Sequence, residues 1–140
     1  MFYTGKTREN KEILKVQDSS TSRGEKQVLE SLHYIKESGY KILEIVESGN
    51  ITQLGIMFDE HWERKKKMSK NISNPYLDKI YEVAKANGAI GGKVSGAGGG
   101  GFLLLVTPPK RQKEVELGLH EMVRINFKID LRGTQLIYKE

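Results

Sequence analysis

Apolar residues recur at helical spacing through the first part of the chain, then give way to short apolar runs beyond residue 90. Met1–Thr4 is apolar and aromatic and reads as the end of a strand, broken by Gly5. A polar helix is predicted from about Thr7 to Gln17, with Ile13, Leu14 and Val16 as its few apolar positions. Asp18-Ser19-Ser20-Thr21-Ser22 is predicted to be a loop carrying an N-cap, since such side chains satisfy the free N–H groups at a helix start. From Glu25 to Val46, Val28, Leu32, Ile35, Ile42 and Ile45 or Val46 are spaced for one helix face. Gly39 is where this helix bends or divides, and Gly49-Asn50 ends it. Asn50 or Thr52 caps a third helix running to about Lys67, on which Leu54, Phe58 and Trp62 share one face, with Trp62 in the core. Asn74-Pro75 is an N-cap followed by proline at the first helical position. Leu77, Ile80, Tyr81 and Ala84 form the buried stripe of that helix, and Gly88 closes it.

Phe102–Val106 is an unbroken apolar run stopped by Thr107-Pro108-Pro109, the pattern of a buried strand. A helix follows, with Val115, Leu119, Met122 and Val123 facing inward. Phe127, Ile129 and Leu131 alternate as a strand, Arg132-Gly133 turns the chain, and Gln135–Lys139 is the last strand. This order predicts an α+β fold with helices packed on one face of an antiparallel sheet.

Composition narrows the classes. A chain of 140 residues suits one domain and buries ~70% of its unfolded surface. No apolar run approaches the ~20 residues of a membrane span, and Lys6, Arg8 and Glu9 interrupt any signal-peptide pattern. The absence of cysteine excludes disulfides, thiolate catalysis and zinc–thiolate sites, in keeping with a cytoplasmic location. A net charge of +5 weakly favours anionic ligands: a sugar phosphate, a nucleotide or nucleic acid.

Candidate chemistry concentrates in Gly91–Gly101, where only Lys93, Val94, Ser95 and Ala97 are not glycine. Such a tract demands positive φ angles, close approach of backbone to a ligand, or both. Successive amides in it can form an anion-binding concavity. Gly96, Gly98 and Gly101 satisfy G-x-G-x-x-G, but a strand follows where the dinucleotide fingerprint needs a helix. Val94 after Gly92-Lys93 stands where the Walker A loop needs Ser or Thr. What remains is strand, glycine loop, strand: either a phosphate-facing loop or a purely structural turn, the second needing far fewer glycines. Lys93 either faces a phosphate or points to solvent.

Lys93-Val94-Ser95-Gly96-Ala97-Gly98-Gly99-Gly100-Gly101-Phe102 resembles the third motif of the GHMP kinases, the galactokinase, homoserine kinase, mevalonate kinase and phosphomevalonate kinase superfamily. Phe2-Tyr3-Thr4-Gly5, Phe58-Asp59-Glu60-His61-Trp62 with its following lysines, and Ile80-Tyr81 ahead of Gly88-Ala89 look like the sugar-kinase branch, closest to the heptose-phosphate kinases. The resemblance covers essentially the whole chain. It implies the ferredoxin-like C-terminal domain of such a kinase, with Lys93, Ser95, Gly96, Ala97, Gly98, Gly99, Gly100 and Gly101 beside the nucleotide phosphates. It implies ATP and Mg2+ as cofactors of the complete kinase, and a sugar phosphate as substrate.

By the same resemblance Arg8 is a phosphate contact, and Asp59 and His61 border the sugar site. His61 lacks a second histidine at metal spacing, so no zinc site is expected. Arg64, Lys65, Lys66, Lys67 and Lys70 form either a solvated helix face or an attractor for an anionic substrate. His33 and His120, on amphipathic helices, need no special role.

The superfamily's main nucleotide loop and catalytic aspartate belong to an N-terminal domain, and nothing here matches them. The expectation is one C-terminal domain over residues 1–140, a fragment or a separately encoded piece, with no catalytic residue of its own and completed by an N-terminal domain in cis or in trans. Two rival readings are a non-catalytic subunit of a split kinase, and a basic module that binds RNA through strand aromatics such as Phe127 and Tyr138. Nucleic-acid binding is the less expected, because it gives the glycine loop no task.

Overall fold

The computed structural model of the chain describes residues 1–5, 10–128, 130, 133, 135 and 137. Strand β1 (Phe2–Tyr3) leads into four helices: α1 (Asn10–Ser22), α2 (Lys26–Glu47), α3 (Ile51–Lys66) and α4 (Pro75–Ala86). Strands β2 (Gly91–Val94) and β3 (Phe102–Val106) follow. A short 3-10 turn (Pro109–Arg111), helix α5 (Gln112–Gly118) and strand β4 (Val123–Arg124) complete the described elements. The strands form one antiparallel sheet in the order β2-β3-β1-β4. With the element order this is the split β-α-β arrangement of the ferredoxin-like fold, so the expected α+β architecture is the one observed.

Several boundaries differ from expectation. The predicted start of α1 lies outside the described residues. Its end does not fall at Gln17, because α1 continues through the expected polar break to Ser22. Three hydroxyl groups there have partners: Thr21 Oγ1 donates to the Gln17 carbonyl at 2.8 Å, and the Arg23 guanidinium, just past the helix, donates to Ser19 Oγ and Ser20 Oγ at 2.8 and 3.1 Å. None of them caps α2, whose N-cap is Glu25 without a side-chain bond. Leu14 and Val16 are exposed rather than core residues, and α2 runs unbroken through Gly39.

Asn50 and Asn74 cap α3 and α4 as expected, each accepting an amide hydrogen bond at 3.0 Å from Gln53 and Leu77 respectively. Trp62 is 1% exposed and central to a core shared with Phe2, Ile72, Leu77, Ile80, Val94, Leu103, Val115 and Leu119.

The C-terminal expectations shift most. The fifth helix stops at Gly118, so Val115 and Leu119 are buried while Val123 is exposed on β4. Among the described residues the second strand paired to β1 is Val123–Arg124, ahead of the predicted start at Phe127, with Tyr3 opposite Val123 and Phe2 opposite Arg124. Pairing to β1 selects it: the Ile125 amide also donates to the Met1 carbonyl at 2.8 Å. Phe127 is exposed and in no strand, which removes one aromatic from the RNA-binding reading; Tyr138 lies outside the described residues. Gln135 and Ile137 are in no strand, and Ile129, Leu131, Arg132 and Lys139 lie outside the described residues.

Gly91 and Gly92 are not loop residues. They lie in β2, and Gly91 lets α3 cross it at backbone distance: a Cβ on Gly91 would stand 2.1 Å from the Gly55 carbonyl oxygen, and one on Gly55 2.7 Å from Ile90 Cβ. This contact sets the position of every α3 side chain relative to the glycine loop.

Candidate functional site

The loop from Ser95 to Gly101 joins β2 to β3. Its base is closed by the Ser95 amide, which donates to the Phe102 carbonyl at 2.8 Å. Its far side is held by the Thr4 amide and hydroxyl, both donating to the Gly101 carbonyl at 2.9 and 3.0 Å. Its middle is pinned where the Gly99 amide donates to the Ile72 carbonyl at 2.7 Å. Gly96, Gly98, Gly99 and Gly101 have φ of 87°, 115°, 76° and 97°, the left-handed region glycine favours. Gly98 is constrained twice, since a Cβ there would lie 2.7 Å from the Ile72 carbonyl oxygen. Among the described residues the amides of Gly96, Ala97, Gly98 and Gly100 donate to no protein acceptor. A fixed loop with free amides presents the kind of donors that bind anions elsewhere.

Helix α3 supplies the side chains next to it. Phe58, His61 and Lys65 are three and four residues apart and share a face. The Lys65 ammonium donates to the Gly96 carbonyl. Lys93, from β2, places its ammonium 5.7 Å from the Phe58 ring centroid. Burial lowers the pKa of both lysines, and the Lys93 charge lowers that of Lys65 further. Burial, then Lys93 and Lys65, push His61 down to about 4, so its imidazole is neutral near pH 7. His61 Nδ1 is buried without a hydrogen-bond partner. His61, Lys65, Gly96 and Ala97 border a cavity of about 420 Å³ whose other lining residues include Leu14, Leu32, Ile35 and Met68.

The structure thus brings His61 and Lys93 to the glycine loop but places Asp59 elsewhere. Asp59 lies on a different side of α3, where Oδ1 accepts from the Tyr81 hydroxyl at 2.6 Å and Oδ2 pairs with Lys85 at 2.6 Å. The Tyr81 oxygen in turn accepts the Gly92 amide at 3.0 Å. Asp59 therefore braces α3 against α4 and β2. Ser95 is exposed, and Arg8 lies outside the described residues. Lys65 was legible in the sequence only as one member of a basic run; its spacing of four from His61 was the available signal. Ile72 had no sequence signal and Thr4 only its place in the Phe2–Gly5 stretch, because both act through contacts distant along the chain.

The chain matches the family described as GHMP kinases C terminal over residues 42–125. It belongs to that family: this is a GHMP kinase C-terminal domain. It is 35% identical over 98 residues to the D-glycero-alpha-D-manno-heptose 7-phosphate kinase of Campylobacter jejuni, covering 70% of this chain and 28% of that protein. The fold is shared with L. major mevalonate kinase, solved in complex with R-mevalonate, at a TM-score of 0.76 and 18% identity over 86% of this chain and 36% of that one. The chain thus spans about a third or less of the length of these two kinases. Among the described residues no helix is long and apolar enough to cross a membrane.

Proposed function

We propose that this chain is the C-terminal part of a cytoplasmic, ATP-dependent sugar kinase that transfers the γ-phosphoryl group of ATP to a hydroxyl of a heptose 7-phosphate. The observation that carries the reading is the glycine loop, pinned at its base, middle and end while the amides of Gly96, Ala97, Gly98 and Gly100 stay free. That arrangement suits nucleotide phosphates, and the acceptor class is taken from the heptose-phosphate relative. In this reading Gly96, Ala97, Gly98 and Gly100 donate to phosphate oxygens. Gly99 and Gly101 hold the loop, and Ser95 stands at its entrance.

Phosphoryl transfer rests on positioning and on neutralising charge on the transferred group, to which magnesium contributes when bound. Among the described residues no three His, Cys, Asp or Glu side chains converge to hold a metal. In this reading the magnesium ligands come from the nucleotide and from an N-terminal domain, in cis or in trans. That domain also supplies the catalytic aspartate and the main nucleotide loop.

The test is ADP release with ATP, Mg2+ and D-glycero-D-manno-heptose 7-phosphate. The 140-residue chain alone is expected to give negligible turnover, and heptose-dependent turnover is expected once the N-terminal domain is supplied. Robust turnover by the chain alone would overturn the division of labour. No heptose-dependent release from the completed enzyme would overturn the acceptor.

A further inference from the structure

Two half-buried ammonium groups beside one another, without a carboxylate, are costly, because removal from water disfavours the charged form and like charges add to the penalty. The neighbouring lysines of the fold are treated differently. Lys66 pairs with Glu63 at 2.6 Å and lies 3.7 Å from Asp78, and Lys85 pairs with Asp59. Among the described residues Lys65 and Lys93 have no acidic partner: one meets a carbonyl, the other an aromatic ring. His61, which lines one cavity with Lys65 and whose pKa both lysine charges lower, is neutral and keeps a buried ring nitrogen unpartnered. The amides of Gly96 and Ala97 complete the polar wall.

We propose that Lys65, Lys93 and His61 form a subsite for a terminal phosphate group on the α3 side of the glycine loop. A dianion there takes charge-assisted bonds from both lysines and accepts further N–H groups from the loop. The cavity of about 420 Å³ alongside has an apolar wall of Leu14, Leu32, Ile35 and Met68 and leaves room for the molecule carrying the phosphate. The kinase reading bears on this proposal only for the source of the phosphate, which is the sugar phosphate or the nucleotide.

The probe is inorganic phosphate, titrated into the 140-residue chain while the histidine ring signals are followed by NMR. A saturable shift of His61 is expected, with the exposed His33 and His120 unmoved. Lys65→Met and Lys93→Met are each expected to weaken binding at least 10-fold, with Lys65→Gln and Lys93→Gln used wherever a methionine variant fails to fold. In separate arms, saturation of His61 at lower concentration by heptose 7-phosphate than by ATP assigns the subsite to the sugar, and the reverse order assigns it to the nucleotide; either supports the site. No His61 shift with phosphate, or undiminished binding in the folded lysine variants, overturns it. A phosphate-dependent His61 shift without ADP release from the completed enzyme would reject the kinase reading and leave the subsite standing.

Discussion

Replacing Gly91 by alanine tests whether α3 touches β2 at backbone distance. The added Cβ would lie 2.1 Å from the Gly55 carbonyl oxygen and 2.9 Å from Asp59 Cβ. Non-bonded heavy atoms settle at roughly 3.5–4 Å, so helix and strand must separate by on the order of 1 Å. Gly91 does not have a positive φ, so the cost is steric rather than conformational. Overpacking typically costs ~1–3 kcal/mol, and the upper end applies because backbone, not a flexible side chain, must give way.

Gly96→Ala is the control. Its φ is 87° but nothing lies within 4 Å of the added Cβ, so only left-handed strain of ~1–2 kcal/mol is expected. Urea unfolding followed by fluorescence of Trp62, the single tryptophan, reads both. At a slope of about 1.5 kcal/mol/M, Gly91→Ala lowers the midpoint by about 2 M and Gly96→Ala by about half as much. An equal or smaller loss for Gly91→Ala, with the slope unchanged, would refute the close crossing and with it the placement of His61 and Lys65 against the loop.

Two further outcomes follow from the site. Because the folded pKa of His61 is depressed from 6.5 to about 4, the unfolded chain binds more protons between these values. His61 thus lowers stability as pH falls from about 6.5 to 4. The full shift is discounted for solvent screening to about 1–2 kcal/mol. His61→Gln should flatten that part of the pH–stability profile relative to the parent, and an identical slope would contradict it. Tyr81→Phe removes the acceptor of the buried Gly92 amide and a donor to Asp59. A loss of about 1–3 kcal/mol is expected in urea unfolding, whereas a neutral effect would show that the Asp59–Lys85 pair braces α3 without it.

The sequence by itself determined where most helices lie and the identity of the loop. Helical spacing and local capping marked α2, α3 and α4, because the groups that satisfy a helix start are neighbours in sequence, as at Asn50 and Asn74. The glycine run marked the loop between β2 and β3 because its positive φ angles exclude most other residues. Tertiary structure decided the rest. Among the described residues, which part of the C-terminal region became a strand depended on pairing with β1, a partner over 100 residues away, and this selected Val123–Arg124, while Phe127 stands in no strand. The polar stretch near residue 20 stayed helical with Thr21 bonded back to the Gln17 carbonyl and Ser19 and Ser20 accepting from Arg23. Asp59 and His61, two residues apart in the same motif, were sent to different sides of α3 by the helical rotation between them. The backbone contact of Gly55 with Gly91 then fixed which side met the loop. Charge alone could not single out Lys65 from its basic run: only burial beside Lys93, without a carboxylate, distinguishes it.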